Sequence, residues 1–436
     1  MSSRHTVVAA LTTLGLASSL LVAASAQAAP TSVFCSIPFI GPLCAPKTVV
    51  LDGDQLLRTK VAGLLGDRTT KTALNNLLTQ ANTDLSAGPW SVTTKSQVPP
   101  SGDKHDYLSL APFWWASQPV TADNPWGCPF IQKDGIRNPL VDSITDHAFR
   151  GSAFAAIYRL TLAWYYTGDA RYARRAALDL RTWFLDPATK MNPNMNFAQG
   201  IPCRFDGRGI GIIEFSFAFT QVIDATSILS SAGAPGWSGV DQTGMNTWYT
   251  QFLTWLRTNK NGTDETAAKN NHGTFIDMME AALALGTGQR DLATSIVKGA
   301  ETQRIDVQIQ PDGGQPLEAT RTRSWHYFAF NLVALTRMAQ IGEHVGVDLW
   351  HYKNPGGAGI FTAVDYLIPG ATQGQPVWSL PELDFRPYAS LDVLHAAANA
   401  GDQQARAAIP NVPVEPGGDL FPVRPAAEQL DDISTS

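Results

Sequence analysis

The chain has 436 residues and a formal net charge of −6, with 38 acidic against 32 basic side chains. An acidic protein gains nothing from bulk attraction to a polyanion. Nucleic acid is therefore not expected as a partner, and any anionic substrate must be met by a local cluster of Arg, Lys and His. The length allows one large domain or two ordinary ones.

Residues 1–28 read as a secretion signal: Arg4 and His5, an apolar stretch from Val7 to Ala24, and the small-residue site Ala26-Gln27-Ala28. Export to the extracellular space or periplasm is expected, with a mature chain beginning near Ala29. Loss of Arg4 takes the formal charge to about −7. No later segment reads as long and apolar enough to cross a bilayer. Four cysteines remain, Cys35, Cys44, Cys128 and Cys203. An even count in an exported chain points to disulfides, with three connectivities open. Cys35 and Cys44 are close in a Pro/Gly-rich stretch and are the easiest to join, which leaves Cys128–Cys203 as a long-range staple. The spacing does not suit zinc.

Residues 29–50 read as an extended arm held by its cysteines. Helical periodicity follows at Leu56, Leu57, Val61, Leu64, Leu65 and again from Leu74 to Leu85, where Gly88-Pro89 closes the second helix. From Trp90 to Val141 the chain is irregular and rich in Pro, Gly and aromatics. A loop this long inside a compact domain is usually functional. Beyond Asp146 the chain reads as helix after helix. Thr167-Gly168-Asp169, Thr287-Gly288-Gln289 and Ala400-Gly401-Asp402 each end one helix on a glycine and start the next, the pattern of an αα-hairpin. Further helices are expected at 215–231, 247–257, 327–341 and 388–400. Strand-like alternation is scarce, with room for short strands near Trp90 or Val377. Residues 51–412 thus form an all-α domain, its hairpins stacked as a solenoid, a bundle or an α/α toroid. Residues 413–436, polar and Pro-rich, read as a flexible tail.

Two helix starts are unusually polar. One is Lys269-Asn270-Asn271-His272-Gly273-Thr274-Phe275; the other is Gln315 to Tyr327, which carries Glu318, Arg321, Arg323, His326 and Tyr327. A helix cap and a core histidine would account for the first alone. Together they supply amide, imidazole, guanidinium and phenol, the groups that eliminate across a uronic acid.

Several stretches taken in order resemble the alginate lyase superfamily of exported polysaccharide lyases. They are 101–109 with Phe113-Trp114-Trp115, Asp134 to Pro139, Tyr166 to Ala173, Thr182 to Asn194, Ala198 to Pro202, Gly207 to Ile213, Asn270 to Thr274, and 315–327. The resemblance covers residues 85–350 and implies an α/α toroid with a substrate groove across one face. It implies cleavage of a 4-linked uronan, alginate or glucuronan, by β-elimination, without cofactor or metal, by a monomer.

Such a lyase removes the C5 proton of a uronate and expels the 4-linked sugar. Hydrogen bonds or positive charge on the C6 carboxylate stabilise the developing enolate, and a base and an acid complete the set. The resemblance implies Asn271 as carboxylate neutraliser, His272 as base or its partner, and Tyr327 as proton donor to the leaving oxygen. In the family Arg precedes Tyr by seven residues. Here Arg321 lies six before Tyr327 and Arg323 four, so Arg321 is preferred and Arg323 is assigned to substrate binding. Asn194, Gln199 and Arg208 suit sugar hydroxyls and a second carboxylate. Trp114 and Trp115 suit stacking on sugar rings, and Lys104, His105 and Tyr107 suit a wall or lid. His326 is left out of the chemistry because it faces another side of the helix. The competing reading is an α/α-toroid glycoside hydrolase, which needs two carboxylates flanking the bond, from Asp264, Glu265, Asp312 or Glu318. A non-catalytic carbohydrate binder would explain the tryptophans alone.

Overall fold

A computed structural model describes residues 36–37 and 40–425. The expected signal 1–28 and Cys35 lie outside the described residues. The fold is all-α with a few very short strands. Its longer helices are α1 (Gly53–Leu65), α2 (Arg68–Asp84), α3 (Asp146–Thr167), α4 (Ala170–Leu180), α5 (Ile213–Ser231), α6 (Gly239–Thr258), α7 (Lys260–Thr266), α8 (Asn271–Gly286), α9 (Arg290–Ala300), α10 (Ser324–Val345), α11 (Ile360–Gln373), α12 (Leu391–Asn399) and α13 (Gln403–Ala408).

The three glycine turns behave as the sequence pattern predicts. Gly168, at φ 75°, caps α3, and the Asp169 carboxylate then accepts the Arg171 N–H to open α4. Gly288 and Gly401 are also at positive φ, and Asp402 caps α13. Each turn joins a helix buried on nearly all sides to a more exposed one. The buried members α3, α5, α8, α10 and α12 contact one another in that order, and α4, α9 and α13 stand behind them. Helices apolar all round belong in a core. Aromatic rings fill the space between α3, α5 and α6, where Phe154, Phe215, Phe219 and Phe252 meet at centroid distances of 5.1–5.8 Å.

Helix α5 carries a correction. With its preceding turn it forms an apolar stretch, Gly209–Ser231, long and apolar enough to cross a membrane at mean hydropathy 1.4. Yet 89% of that window is buried inside the protein, so it serves as a core helix. Its buried Asp224 accepts the backbone N–H groups of Val49, Val50 and Leu51 at 2.6, 3.1 and 3.1 Å, which docks the end of the amino-terminal arm. Cys44 in that arm is disulfide-bonded.

The short strands form elsewhere than near Trp90 or Val377, where the sequence left room for them. Trp90 lies in irregular chain and Val377 in a short 3₁₀ turn. The strands are β1 (Ser36–Ile37) with β2 (Gly41–Pro42), β3 (Leu108–Leu110) parallel to β6 (Phe197–Gly200), and β4 (Trp114–Ala116) antiparallel to β5 (Phe130–Gln132). Segments of two to four residues are too short to show an alternation. The aromatic loop is therefore a folded layer, and a Cys128–Cys203 disulfide ties it to the chain after β6.

Residues 413–425 also differ from the flexible tail expected of them. Leu420 and Val423 are buried, Phe421 stacks on His395 at 4.2 Å, and Arg424 pairs with Glu415 at 2.6 Å. Two apolar anchors suffice to dock a segment that reads as polar.

Candidate active site

The start of α8 is fixed from behind. Buried Arg304 donates to the Asp277 carboxylate at 2.7 Å and to the carbonyls of Ala268 and Thr266 at 2.6 and 2.9 Å. Gln308 donates to the carbonyls of Lys269 and Asn270. Gly273 is required by this packing, since a Cβ there would lie 2.1 Å from the Ala268 oxygen and 2.3 Å from the Arg304 guanidinium. These contacts set the direction in which Asn271 and His272 leave the helix.

Asn270 holds the cap position of α8, but neither asparagine side chain caps the helix. Asn270 makes no capping bond, and Glu318 instead accepts the Asn271 backbone N–H at 2.8 Å. A second bond of 2.8 Å joins the Asn271 side-chain amide to the other Glu318 oxygen. One residue on, the His272 Nδ1–H donates to Glu265 at 2.6 Å, and Glu265 is only 2% exposed. A carboxylate on Nδ1 fixes the tautomer and leaves Nε2 as the basic nitrogen.

Both residues border a cavity of about 390 Å³, which Arg321 and Tyr327 also line. The Arg321 guanidinium lies over the Tyr327 ring, 3.7 Å from its centroid, and donates to Asp134 at 2.8 Å. Burial pushes the Tyr327 phenol up to about 12, with Arg321 opposing the rise. The phenol is therefore a proton carrier at neutral pH. His326 also borders the cavity, against the expectation that it faces away. Burial and the nearby Arg323, Arg321 and Arg386 hold its pKa well below the usual imidazole range, so it is neutral.

Trp114, Gln199 and Arg208 also line the cavity. The Arg208 guanidinium donates to the Gln199 carbonyl at 3.0 Å and lies 5.9 Å from the Trp114 ring centroid. Burial lowers its pKa to about 10, which leaves it cationic at neutral pH. Gln199 adopts φ 49°, a backbone state uncommon outside glycine, and its N–H is taken up by the Ser109 hydroxyl at 2.9 Å. The cavity is also lined by a carboxylate and an imidazole absent from the sequence expectations, Glu214 and His147, which approach to 3.5 Å. Tyr107 and Ser109 each donate to Glu214 at 2.8 Å.

Six residues expected at the substrate do not line the cavity. Tyr107 is fully buried behind it, on Glu214. The Lys104 ammonium donates to the Lys95 carbonyl, and His105 bonds the Lys190 carbonyl at 2.6 Å. Asn194 donates to Asp106 at 2.9 Å. The Trp115 indole donates to the Ile136 carbonyl. These residues fold the aromatic loop onto its neighbours. Arg323 is 3% exposed and faces Glu382 and Asp384 at 3.8 and 3.7 Å. Conversely, Asp134 and His147 line the cavity and were not singled out as site residues.

The hydrolase carboxylates are otherwise engaged. Glu265 and Glu318 hold His272 and Asn271, exposed Asp264 pairs with Lys260, and Asp312 accepts the Gly314 N–H in a turn.

The family model described as alginate lyase matches residues 91–378. An alginate lyase from Bacteroides ovatus shares 32% identity with the chain, and the alignment covers 87% of this chain and 99% of that one at a TM-score of 0.81. The chain belongs to the alginate lyase family. It is accordingly a polysaccharide lyase. More distant matches include a histidine-to-alanine variant of alginate lyase A1-III. Its apo form gives 17% identity, 80% and 93% coverage and a TM-score of 0.49. Its tetrasaccharide complex gives 15% identity, 82% and 94% coverage and the same TM-score. No curated protein matches this alginate lyase family member.

Proposed function

We propose that this polysaccharide lyase is an exported, monomeric α/α-toroid enzyme that cleaves alginate by β-elimination at the cavity. The stacked inner and outer helices support the toroid, and the name of the Bacteroides ovatus relative supports alginate over glucuronan. The signal-like first 28 residues support export. The observation that carries the chemistry is the pairing of His272 with Glu265 on the same cavity as Tyr327 and Arg321.

His272 Nε2 takes the C5 proton, and the C5–H electrons form the C4–C5 double bond as the C4–O4 bond breaks. Tyr327 gives its proton to O4, and Arg321 over the ring stabilises the phenolate left behind. The C6 carboxylate, which gains charge as C5–H breaks, meets Asn271 and Arg321. Preorganised groups at such a position supply the largest electrostatic help. Arg208 and Trp114 hold the neighbouring sugar by charge and by stacking. Solvent then removes the proton from His272 and returns one to Tyr327.

Digestion of a panel of uronans with the purified protein tests this reading. Absorbance from the unsaturated uronate end should rise on alginate. New sugar ends without that signal would indicate hydrolysis, and neither would indicate a binder.

A further inference from the structure

We infer that Glu318 works as a neutral carboxylic acid, whose proton turns the Asn271 amide so that its NH2 group meets the substrate carboxylate. The inference rests on the elimination reading above and concerns how its carboxylate site is built. In the structure the Asn271 NH2 group is bound to Glu318, and Asn271 Oδ1 is buried without a hydrogen-bond partner. Asn271 borders the cavity and Glu318 does not, so the end of the amide away from Glu318 is the one nearer substrate. In that orientation an anion would meet an acceptor oxygen, with a second carboxylate behind it. An amide arranged so cannot neutralise a carboxylate.

The surroundings of Glu318 favour the neutral form. The side chain is 1% exposed, and its described hydrogen bonds come from the backbone and side chain of Asn271. No Lys, Arg or His comes within salt-bridge distance of it among the described residues, although Arg321 and His272 act on it from further away. A buried carboxylate without a contacting cation gives up its charge more readily than it keeps it. Burial accordingly raises its pKa above the usual range, against the two Asn271 bonds and the more distant charges of Arg321 and His272.

A neutral Glu318 reverses one bond and keeps the other. Its carbonyl oxygen still accepts the Asn271 backbone N–H, and its O–H donates to Asn271 Oδ1. A half-turn of the amide, which leaves the heavy-atom outline unchanged, places NH2 toward the cavity. The proton is taken once from solvent and is not consumed in turnover. Glu318 is thus a positioning residue that acts through Asn271.

Glu318→Gln tests the idea because a glutamine has the donor and acceptor of the neutral acid in one shape. Its NH2 donates to Asn271 Oδ1 and its carbonyl accepts the Asn271 N–H. The expected result is kcat within a few-fold of wild type, with KM little changed. The infrared carbonyl band of a protonated carboxylic acid should also appear as a positive band in the wild-type-minus-variant difference spectrum at neutral pH. A folded Glu318→Gln enzyme slowed by 100-fold or more, or a difference spectrum showing loss of carboxylate bands instead, would overturn the inference. Neutron diffraction from deuterium-exchanged wild-type crystals reads the same proton without a variant: deuterium on Glu318 supports the inference, and two bare oxygens refute it. Wild-type protein that yields no unsaturated uronate would refute the elimination reading and leave this neutron result standing by itself.

Discussion

Glu265 and His272 are seven residues apart, on the end of one helix and the start of the next, and their side chains meet at 2.6 Å. The contact converts an imidazole that reads as a core histidine into an oriented base. Glu265→Gln should therefore disturb the tautomer while keeping the shape, because its amide NH2 can donate to Nδ1 and force the proton onto Nε2. By analogy with loss of the orienting carboxylate in a catalytic triad, turnover should fall by roughly 10²–10⁴-fold. KM should change little. Steady-state kinetics on alginate, beside a melting curve, decide it. A variant that melts far lower but keeps its activity per folded molecule would reduce Glu265 to a packing residue.

Tyr327 sets a pH expectation. Its phenol is pushed up to about 12 by burial. A residue acting as acid is then fully protonated across the neutral and mildly alkaline range, and kcat should show no loss from this group there. A phenolate acting as base would instead make kcat rise about tenfold per pH unit toward that pKa. A pH profile of kcat separates the two, and Tyr327→Phe should lower kcat by roughly 10²-fold or more in either case.

The sequence was most legible where partners are near in the chain. The glycine turn at Gly168-Asp169 is local chemistry, a left-handed residue followed by a capping carboxylate, and it reads without the fold. The polar starts of two helices also read directly, which brought Asn271, His272 and Tyr327 together. Glu214 and Asp134 were not read as site residues because their partners lie far away: Tyr107 is 107 residues from Glu214, and Arg321 is 187 from Asp134. Lys104 and His105 were misread for the converse reason. A polar, proline-rich loop looks solvent-facing, yet backbone carbonyls of Lys95 and Lys190 take up those side chains. Helix α7 was missed because Lys260-Asn261-Gly262-Thr263-Asp264-Glu265-Thr266 has no apolar period at all.

Cys128→Ser paired with Cys203→Ser should cost both stability and substrate affinity. The bridge closes a separation of 75 residues. Loop-closure entropy puts its contribution at up to about 4 kcal/mol. Cys203 also follows Gln199 and precedes Arg208, two residues that line the cavity. Denaturant unfolding should show the lower stability, and KM should rise more than kcat falls. An unchanged KM would mean that β6 and its pairing with β3 hold those residues without the disulfide.

Arg321 and Arg323 are two residues apart and were hard to rank from spacing, but their surroundings predict opposite failures. Arg321 borders the cavity, lies over the Tyr327 ring and keeps Asp134 as its partner. Arg321→Ala removes charge from the carboxylate and from the incipient phenolate, so turnover should fall by about 10²–10³-fold, the scale of losing one preorganised electrostatic group. The fold should hold, since Asp134 is partly exposed and can be solvated. Arg323 is buried against Glu382, whose side chain has no exposure. Arg323→Ala leaves that carboxylate without its cation and should destabilise the protein by roughly 1–3 kcal/mol. Activity per folded molecule should stay within a few-fold of wild type. Paired melting curves and kinetics test both at once. If Arg323→Ala lost turnover and Arg321→Ala lost stability, the catalytic guanidinium would have been assigned to the wrong residue.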